Sequence, residues 1–215
     1  MRITPVSPER LVEEVTDLVD SAGAGARTRV AVDGAPPTRP EELATAVAAR
    51  LRARGRPALV VVAADFLRPA SLRLELGRTD PDAFLDGWLD VAGLRREVLD
   101  PAGPRGSGRV LPRLWDAAAD RAHRDDYVTL REGGVLLLAG ALLLGRGLEF
   151  ELTVHLRMSE AALRRRLDAA ERWTLPAYAR YDAERNPADD ADLLVLADHP
   201  ERPAVRRRDV PGHER

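Results

Sequence analysis

The chain has 215 residues and a formal net charge of −2, with 33 basic and 35 acidic side chains. It is long enough to bury one core, and its nearly balanced charge gives no general attraction to nucleic acid or to acidic membranes. All 33 basic residues are arginine, and cysteine is absent as well. These compositions exclude a lysine that clamps phosphate or forms a Schiff base, disulfides, thiolate nucleophiles and cysteine-bound zinc.

The N-terminus has no basic region followed by an apolar core, so no signal peptide is expected. The longest apolar run, residues 135–144, is about half of the ~20 residues that a membrane span needs. We therefore expect a soluble cytoplasmic protein.

The first half of the chain alternates between helical and strand-like patterns. Ser7 precedes a predicted helix whose apolar stripe includes Leu11, Val15 and Val19. A strand is predicted over 29–33, a helix over 38–54, a continuous apolar strand over 57–62, and two short helices between 80 and 99.

The second half continues the alternation. Strands are predicted over 109–115, 135–138, 150–156 and 193–196, with helices over 159–171 and 175–185. Strands that alternate with such helices predict an α/β fold, a three-layer αβα sandwich with a mainly parallel sheet. The predicted organisation is an appended N-terminal helix in residues 1–25, one domain over 26–203, and a frayed polar tail over 204–215.

The segment VAVDGAPPTRPEE, residues 30–42, places a glycine turn between a strand and a helix, as a phosphate-binding loop does. Counted from Gly34, the pattern G-x-x-x-x-G-K-[ST] has Arg39 for its second glycine, Pro40 for its lysine and Glu41 for its last residue. Pro40 has neither a charge nor an N–H. A structural alternative is that Thr38 caps the helix and forms a capping box with Glu41, so that a carboxylate takes the place of the phosphate.

Five segments resemble, in sequence and order, the uridine kinase-like P-loop kinases, especially their small bacterial members. They are VAVDG (30–34), ADFLRPASLR (64–73), GRTDPDAFLDGWLD (77–90), VLLLAGALLL (135–144) and PAYARYDAERNPADDADLLVLAD (176–198). The resemblance implies a P-loop NTPase fold of the nucleoside kinase type, and the transfer of phosphate from ATP, with magnesium, to a nucleoside hydroxyl.

Several catalytic positions of that family are replaced in this chain. The resemblance implies a catalytic base at position 64 and a magnesium-binding acid at position 139, and the residues present are Ala64 and Ala139. The lid is short between Arg166 and Pro176, with Leu167 in place of an arginine. Together with the altered loop, these replacements predict a degenerate member of the family.

Other positions keep residues that the resemblance places near a substrate. It implies substrate binding by Arg68, Asp90, Trp115, Asp116 and Tyr181.

Asp65 is the candidate catalytic residue, because a carboxylate at the end of a strand can serve as a general base. The alternative is that Asp65 caps the next turn or pairs with Arg68. Asp116, Asp120 and His123 would share one face of a helix, but solvated acidic helices are common and no metal is predicted. The other histidines, His155, His199 and His213, have no identifiable triad-like partner in the sequence.

Three functions stay open. The first is a pseudokinase or binding protein, and the second is a repurposed enzyme that uses Asp65, Asp90 and Asp116 on a small molecule. The third is a residual uridine or cytidine kinase with Arg39 in place of the lysine, and only this one requires ATP and magnesium. The expected partner is a nucleoside-like small molecule or a protein, with neither nucleic acid nor membrane, and a homodimer is left open.

Overall fold

The structure is a computed structural model that describes residues 3–23 and 25–208. These residues form eleven strands. They are β1 (Thr4–Pro5), β2 (Thr28–Gly34), β3 (Ala58–Val62), β4 (Arg109–Val110), β5 (Trp115–Asp116), β6 (Arg121–Ala122), β7 (Val128–Thr129), β8 (Val135–Gly140), β9 (Leu152–Arg157), β10 (Leu193–Leu196) and β11 (Ala204–Arg207).

The same residues form nine α-helices, joined in places by short 3-10 or π-helical turns. They are α1 (Pro8–Ser21), α2 (Pro40–Ala53), α3 (Ala70–Arg73), α4 (Pro81–Gly87), α5 (Val91–Leu94), α6 (Asp100–Ala102), α7 (Glu160–Arg166), α8 (Leu175–Arg185) and α9 (Pro187–Asp190). Within residues 3–23 and 25–208, none of these helices has both the length and the apolar character that crossing a membrane requires.

Seven strands form one sheet in the order β1-β11-β10-β9-β2-β8-β3. The five strands from β10 to β3 run parallel, whereas β11 is antiparallel to both β10 and β1. Asp33, near the end of the central strand β2, lies opposite Gly140 on one side and His155 on the other. Because parallel strands end at the same edge, the loops after β2, β3, β8 and β9 meet there.

Both faces of this sheet are covered. Val30 and Val32 pack into a cluster with α1 and α2, whereas Ala31 joins a cluster formed by α7 and α8. Leu136 and Leu138 enter a third cluster with residues of α5 and α6. Burial on both faces explains why the central strands are continuously apolar, and it confirms the predicted three-layer α/β fold.

The N-terminal helix shares the main core. The Ser7 hydroxyl accepts a hydrogen bond from the Arg10 N–H at 3.2 Å, which confirms the predicted cap. Leu11, Val15 and Val19 are buried in the same cluster as α2 and the sheet. The segment before α1 also adds β1 to the edge of the sheet beside β11.

Two of the predicted elements are wrong. Residues 109–115 do not form one strand: Arg109–Val110 pairs with β7 and Trp115–Asp116 pairs with β6. Pro112 lies between them and has no N–H for a continuous ladder. The helix predicted over 159–171 ends at Arg166, because Leu167 leaves the helix with extended backbone and buries its side chain.

The predicted polar tail is wrong for its first residues. Ala204–Arg207 form β11, which pairs with β10 along its length, and Val205 is 4% exposed. Alternation between a buried valine and its outward-facing neighbours fits an edge region of the sheet. The last part of that prediction, residues 209–215, lies outside the described residues.

Candidate functional site

The segment after β2 folds into a tight turn. Ala35 is extended, Pro36–Thr38 form one turn of 3-10 helix, and Arg39 adopts the left-handed conformation with φ 59° and ψ 52°. Helix α2 begins at Pro40. Consecutive prolines favour this compact path because their rings restrict φ to about −65°.

Both polar donors of Thr38 are hydrogen-bonded within this turn. The carbonyl oxygen of Ala35 accepts hydrogen bonds from both the N–H and the hydroxyl of Thr38, at 2.8 and 2.7 Å. Arg39 is the residue that precedes the helix, and no side chain caps α2. The predicted capping box of Thr38 and Glu41 is therefore wrong, since the proline turn places Thr38 before the cap position.

The turn has few donors for a phosphate. Three of the five residues from 36 to 40 are prolines, which have no N–H. The other two, Thr38 and Arg39, donate their N–H groups to the carbonyls of Ala35 and Pro36, at 2.8 and 2.9 Å. Phosphate loops bind by directing successive free N–H groups at the anion. Residues 36–40 offer none, so they do not fit the phosphates of ATP.

The charges around the turn also oppose an anion. Burial raises the pKa of Glu41, and the negative charges of Asp65 and Glu42 raise it further. Arg39 lies between Glu42 and Glu201, with nitrogen–oxygen distances of 3.7 Å to each. An approaching phosphate would meet several carboxylates and an arginine that is already paired.

Positions 64 and 139, where the resemblance predicts a base and an acid, lie in different surroundings. Ala64 is exposed at the carboxyl end of β3, whereas Ala139 is fully buried in the cluster beneath α2. Within the described ranges, no group of three or more histidine, aspartate or glutamate side chains could hold a metal ion. The residues present therefore do not fit a magnesium ion bound through position 139.

Asp33 is fully buried and accepts three hydrogen bonds. The Leu143 N–H donates to one carboxylate oxygen at 2.8 Å, and the Tyr181 hydroxyl and His155 Nδ1 donate to the other at 3.0 and 2.7 Å. The Tyr181 hydroxyl in turn accepts from the Leu144 N–H at 2.8 Å. Burial and the Asp33 charge strongly raise the pKa of Tyr181.

His155, for which the sequence indicates no triad-like partner, has a carboxylate beside it, because β2 and β9 are neighbours in the sheet and place it next to Asp33. An ionised carboxylate only accepts hydrogen bonds, so His155 carries its proton on Nδ1. Its Nε2 is buried and has no partner among the described residues.

A cleft of about 620 Å³, counting its open mouth, lies at the carboxyl ends of β3 and β8 and the start of α2. This volume is within the usual ~300–1,000 Å³ of small-molecule sites. Its larger apolar and aromatic lining residues are Leu67, Phe84, Trp88, Leu89, Leu142 and Tyr178. Glu41 and Arg146 are the charged residues that line it.

One side of the cleft is an aromatic wall, formed by Phe84, Trp88 and Tyr178; Trp173 packs against Phe84 but does not line the cleft. The Phe84 ring makes edge contacts with Trp88, Trp173 and Tyr178, at centroid distances of 5.2, 5.5 and 5.9 Å. The guanidinium of Arg73, a buried residue, lies 5.2 Å from the Trp88 ring centroid. Each aromatic pair contributes about 0.5–1.5 kcal/mol beyond its buried area, so the wall is preorganised.

Arg146 brings a positive charge to this apolar cleft. Its Nε donates to the Leu142 carbonyl and its Nη2 donates to the Leu85 carbonyl. Burial lowers the pKa of Arg146, and the positive charge of Arg185 lowers it further. Within the described part of the chain, no carboxylate lies close enough to form an ion pair with it.

Solved structures show which known proteins share this architecture. A possible uridine kinase from Bacillus stearothermophilus has a TM-score of 0.71 over 86% of this chain and 97% of its own, at 15% identity. A candidate fructose transport system kinase from Silicibacter sp. TM1040 has a TM-score of 0.59 over 82% and 87%, at 25% identity. The YGR205w protein has a TM-score of 0.57 over 94% and 97%, at 10% identity. The chain has the uridine kinase-like P-loop kinase fold.

No model of a known protein family matches the sequence, and no curated protein matches it significantly. The assignment of the uridine kinase-like fold therefore depends on the solved structures.

In this uridine kinase-like fold, Asp65 lies in the 3-10 turn after β3. Its carboxylate is 3.7 Å from Nε2 of His123. Burial raises the pKa of Asp65, and the charges of His123 and Arg113 partly oppose that increase. His123, and not Arg68, is the side chain that lies beside the Asp65 carboxylate.

Asp90 and Asp116 are both occupied by backbone hydrogen bonds. The Asp90 carboxylate accepts from the Gly93 N–H at 2.8 Å and caps α5. The Asp116 carboxylate accepts from the N–H groups of Ala118 and Ala119, at 3.0 and 2.9 Å. These contacts stabilise turns, and they lower the pKa of Asp116.

The predicted helix carrying Asp116, Asp120 and His123 is wrong, because this segment is the β5–β6 hairpin. Asp120 has a left-handed backbone with φ 48°, which closes the turn. Its carboxylate accepts from the Ala70 N–H at 2.7 Å and from Trp115 Nε1 at 3.2 Å.

The cleft includes few of the predicted site residues. Glu41 and Ala64 line it, but the five predicted substrate-binding residues are not among its lining side chains. Their assignment to a substrate stays a prediction. Phe84, Trp88 and Arg146 were not predicted as site residues. The first two are four residues apart, a spacing that places them on one helix face, whereas no sequence signal indicates Arg146.

Proposed function

We propose that this protein binds a small molecule in the cleft of a uridine kinase-like fold and does not transfer phosphate from ATP. The absence of a free backbone N–H across residues 36–40 carries this proposal. Phosphoryl transfer is catalysed mainly by positioning and by electrostatic stabilisation of the phosphoryl oxygens. Loss of one such donor commonly reduces the rate by a factor of about 10²–10³.

The remaining charges support the same proposal. No lysine is present anywhere in the chain to replace the loop lysine. Arg39 faces Glu42 and Glu201, and Glu41 places a carboxylate at the start of α2. The replaced base and acid, Ala64 and Ala139, further reduce any residual phosphotransfer.

Calorimetric titration with Mg·ATP, uridine and cytidine, together with a nucleoside phosphorylation assay, tests the proposal. We expect no binding heat with Mg·ATP and no phosphorylated nucleoside. The Glu41→Gln variant is the matched control, because it removes a negative charge but restores no backbone N–H donor. It should likewise show no binding heat with Mg·ATP and no phosphorylated nucleoside. Micromolar binding of Mg·ATP, or magnesium-dependent phosphorylation of either nucleoside, would contradict the proposal.

A second candidate function is an enzyme of another kind that uses Asp65. The raised pKa of this carboxyl and its contact with His123 favour it as a proton acceptor. Asp90 and Asp116, which were grouped with it, act as turn and helix caps and support this function less. Asp65→Asn should then abolish turnover of the substrate, and an unchanged rate would eliminate this candidate.

A further inference from the structure

We infer that the cleft binds a small aromatic carboxylate, whose ring packs on the aromatic wall and whose carboxylate pairs with Arg146. This inference rests on the proposed function, since it assigns the ligand class of the same cleft. Three features carry it: the shape and apolarity of the walls, the unpaired guanidinium, and the distribution of charge.

The walls favour an aromatic ligand. Phe84, Trp88 and Tyr178 present ring surfaces to the cleft, and Leu67, Leu89 and Leu142 complete its apolar lining. An aromatic ring gains both from burial and from edge or offset contacts with such rings. A ribose has several hydroxyl groups, and these lining side chains offer few partners for them.

The guanidinium of Arg146 is available to an anion. Of the five N–H bonds that a guanidinium carries, the carbonyls of Leu142 and Leu85 use two. The remaining three N–H bonds belong to the two terminal nitrogens, through which a guanidinium binds a carboxylate. Burial already destabilises this charge, so an entering carboxylate compensates for the lost hydration.

The charge distribution favours one carboxylate over a phosphate. The positive charge of Arg185 lowers the pKa of Arg146 and the negative charge of Asp86 raises it, whereas Asp65 and Glu42 both raise the pKa of Glu41. The Glu41 side of the cleft therefore repels anions, and the Arg146 side attracts them. A monoanion with its charge at one end suits both sides of the cleft. A dianionic phosphate would have one guanidinium to pair with and no free N–H from residues 36–40.

The test is calorimetric titration with 3-phenylpropionate and with two molecules that share its ring and chain length, 3-phenylpropan-1-ol and 3-phenylpropylamine. We expect saturable binding of the acid below about 1 mM, which is reasonable for a ligand of this size. The alcohol and the amine should bind at least about tenfold more weakly, because neither can pair with a guanidinium.

Variants at Arg146 separate the contribution of its charge to ligand affinity from that of packing on the aromatic wall. Arg146→Gln should weaken the acid about tenfold or more while leaving the affinity for the alcohol unchanged. Arg146→Lys keeps the charge without the planar fork and should give an intermediate loss, and it serves if the glutamine variant fails to fold. The control is Arg164→Gln, which removes an exposed guanidinium that pairs with Glu160 and does not line the cleft. It should leave affinity for the acid nearly unchanged.

Equal binding of acid and alcohol, preference for the amine, or no binding of any probe would overturn the inference. Phosphorylation of uridine by the wild-type protein would instead overturn the proposed function, whether or not the acid binds. If no probe binds and no nucleoside is phosphorylated, the aromatic carboxylate is rejected as the ligand, whereas the proposed absence of phosphotransfer still holds.

Discussion

Burial and neighbouring charges of both signs act on the ionisation of Asp65. Its carboxyl is partly buried beside the β5–β6 hairpin, which disfavours the ionised form. His123 and Arg113 favour ionisation, whereas Asp125 and Asp116 disfavour it. The net effect is a pKa above the ordinary value of 3.8, so ionisation of Asp65 costs the folded state free energy.

Asp65→Asn should therefore stabilise the protein at neutral pH. A raised folded-state pKa means that the folded chain binds this proton more tightly than the unfolded chain. The free energy of unfolding of the wild type then falls, relative to that of the variant, as the pH rises above 3.8. Urea unfolding between about pH 4 and about pH 7 should show the gain of the variant only at the upper end.

Asp116→Asn is the control for this measurement. Its backbone hydrogen bonds lower the pKa of Asp116, so its ionised form stabilises the folded state and the substitution should destabilise the protein at neutral pH. A loss of stability in both variants at about pH 7 would contradict the account of Asp65.

At the scale of elements, Asp33 joins three segments of the chain. It lies near the end of β2, and it accepts hydrogen bonds from β9 through His155, from α8 through Tyr181, and from the loop after β8 through Leu143. A fully buried carboxylate is stable only with such a set of donors. The network thereby fixes α8 against the edge of the sheet that carries the cleft.

Tyr181→Phe should reduce the free energy of unfolding by about 1.5–3 kcal/mol, because a hydrogen bond to a charged group is lost and the buried Leu144 N–H loses its acceptor. Tyr178→Phe removes a hydroxyl from the same helix at a position that lines the cleft, outside this network. We expect that control to change stability by less than about 0.5 kcal/mol in chemical denaturation. Equal losses in the two variants would argue against the network.

At the scale of the whole molecule, the N-terminal segment is part of the folded core. Leu11, Val15 and Val19 pack in the same cluster as β2 and β8, and β1 pairs with β11, near the other end of the described chain. Such shared burial predicts a single cooperative unfolding transition. A homodimer and a protein partner stay predictions for this protein, and sedimentation velocity would address the first.

Deletion of residues 1–25 should therefore unfold or severely destabilise the chain. Each of the three apolar side chains contributes about 1.5–3 kcal/mol through burial. Their sum is comparable with the total stability of about 5–15 kcal/mol of a typical domain. Near-ultraviolet circular dichroism and urea unfolding provide the measurement. A truncated chain with native spectra and an unchanged transition would show that the helix is dispensable.

The regular elements of the sheet and its covering helices were largely predictable. The helix predicted over 175–185 is α8, and the strand predicted over 193–196 is β10. Such elements can be predicted from local periodicity. Apolar residues recur with the period of a helix or a strand, because one face of the element packs against the core. The β5–β6 hairpin was not predictable, since Asp120 is stabilised by the Ala70 N–H, 50 residues away.

The sequence alone determined that residues 36–40 have few N–H donors, because three of them are prolines in any fold, and that no lysine can lie near them. Only the tertiary structure decided which side chains meet at the end of the sheet. Asp33 lies 122 residues from His155 and 148 from Tyr181, and Arg146, in the loop after β8, lines the same cleft as the aromatic wall. Contacts of this kind depend on how strands are ordered, and strand order brings together residues that no local pattern connects.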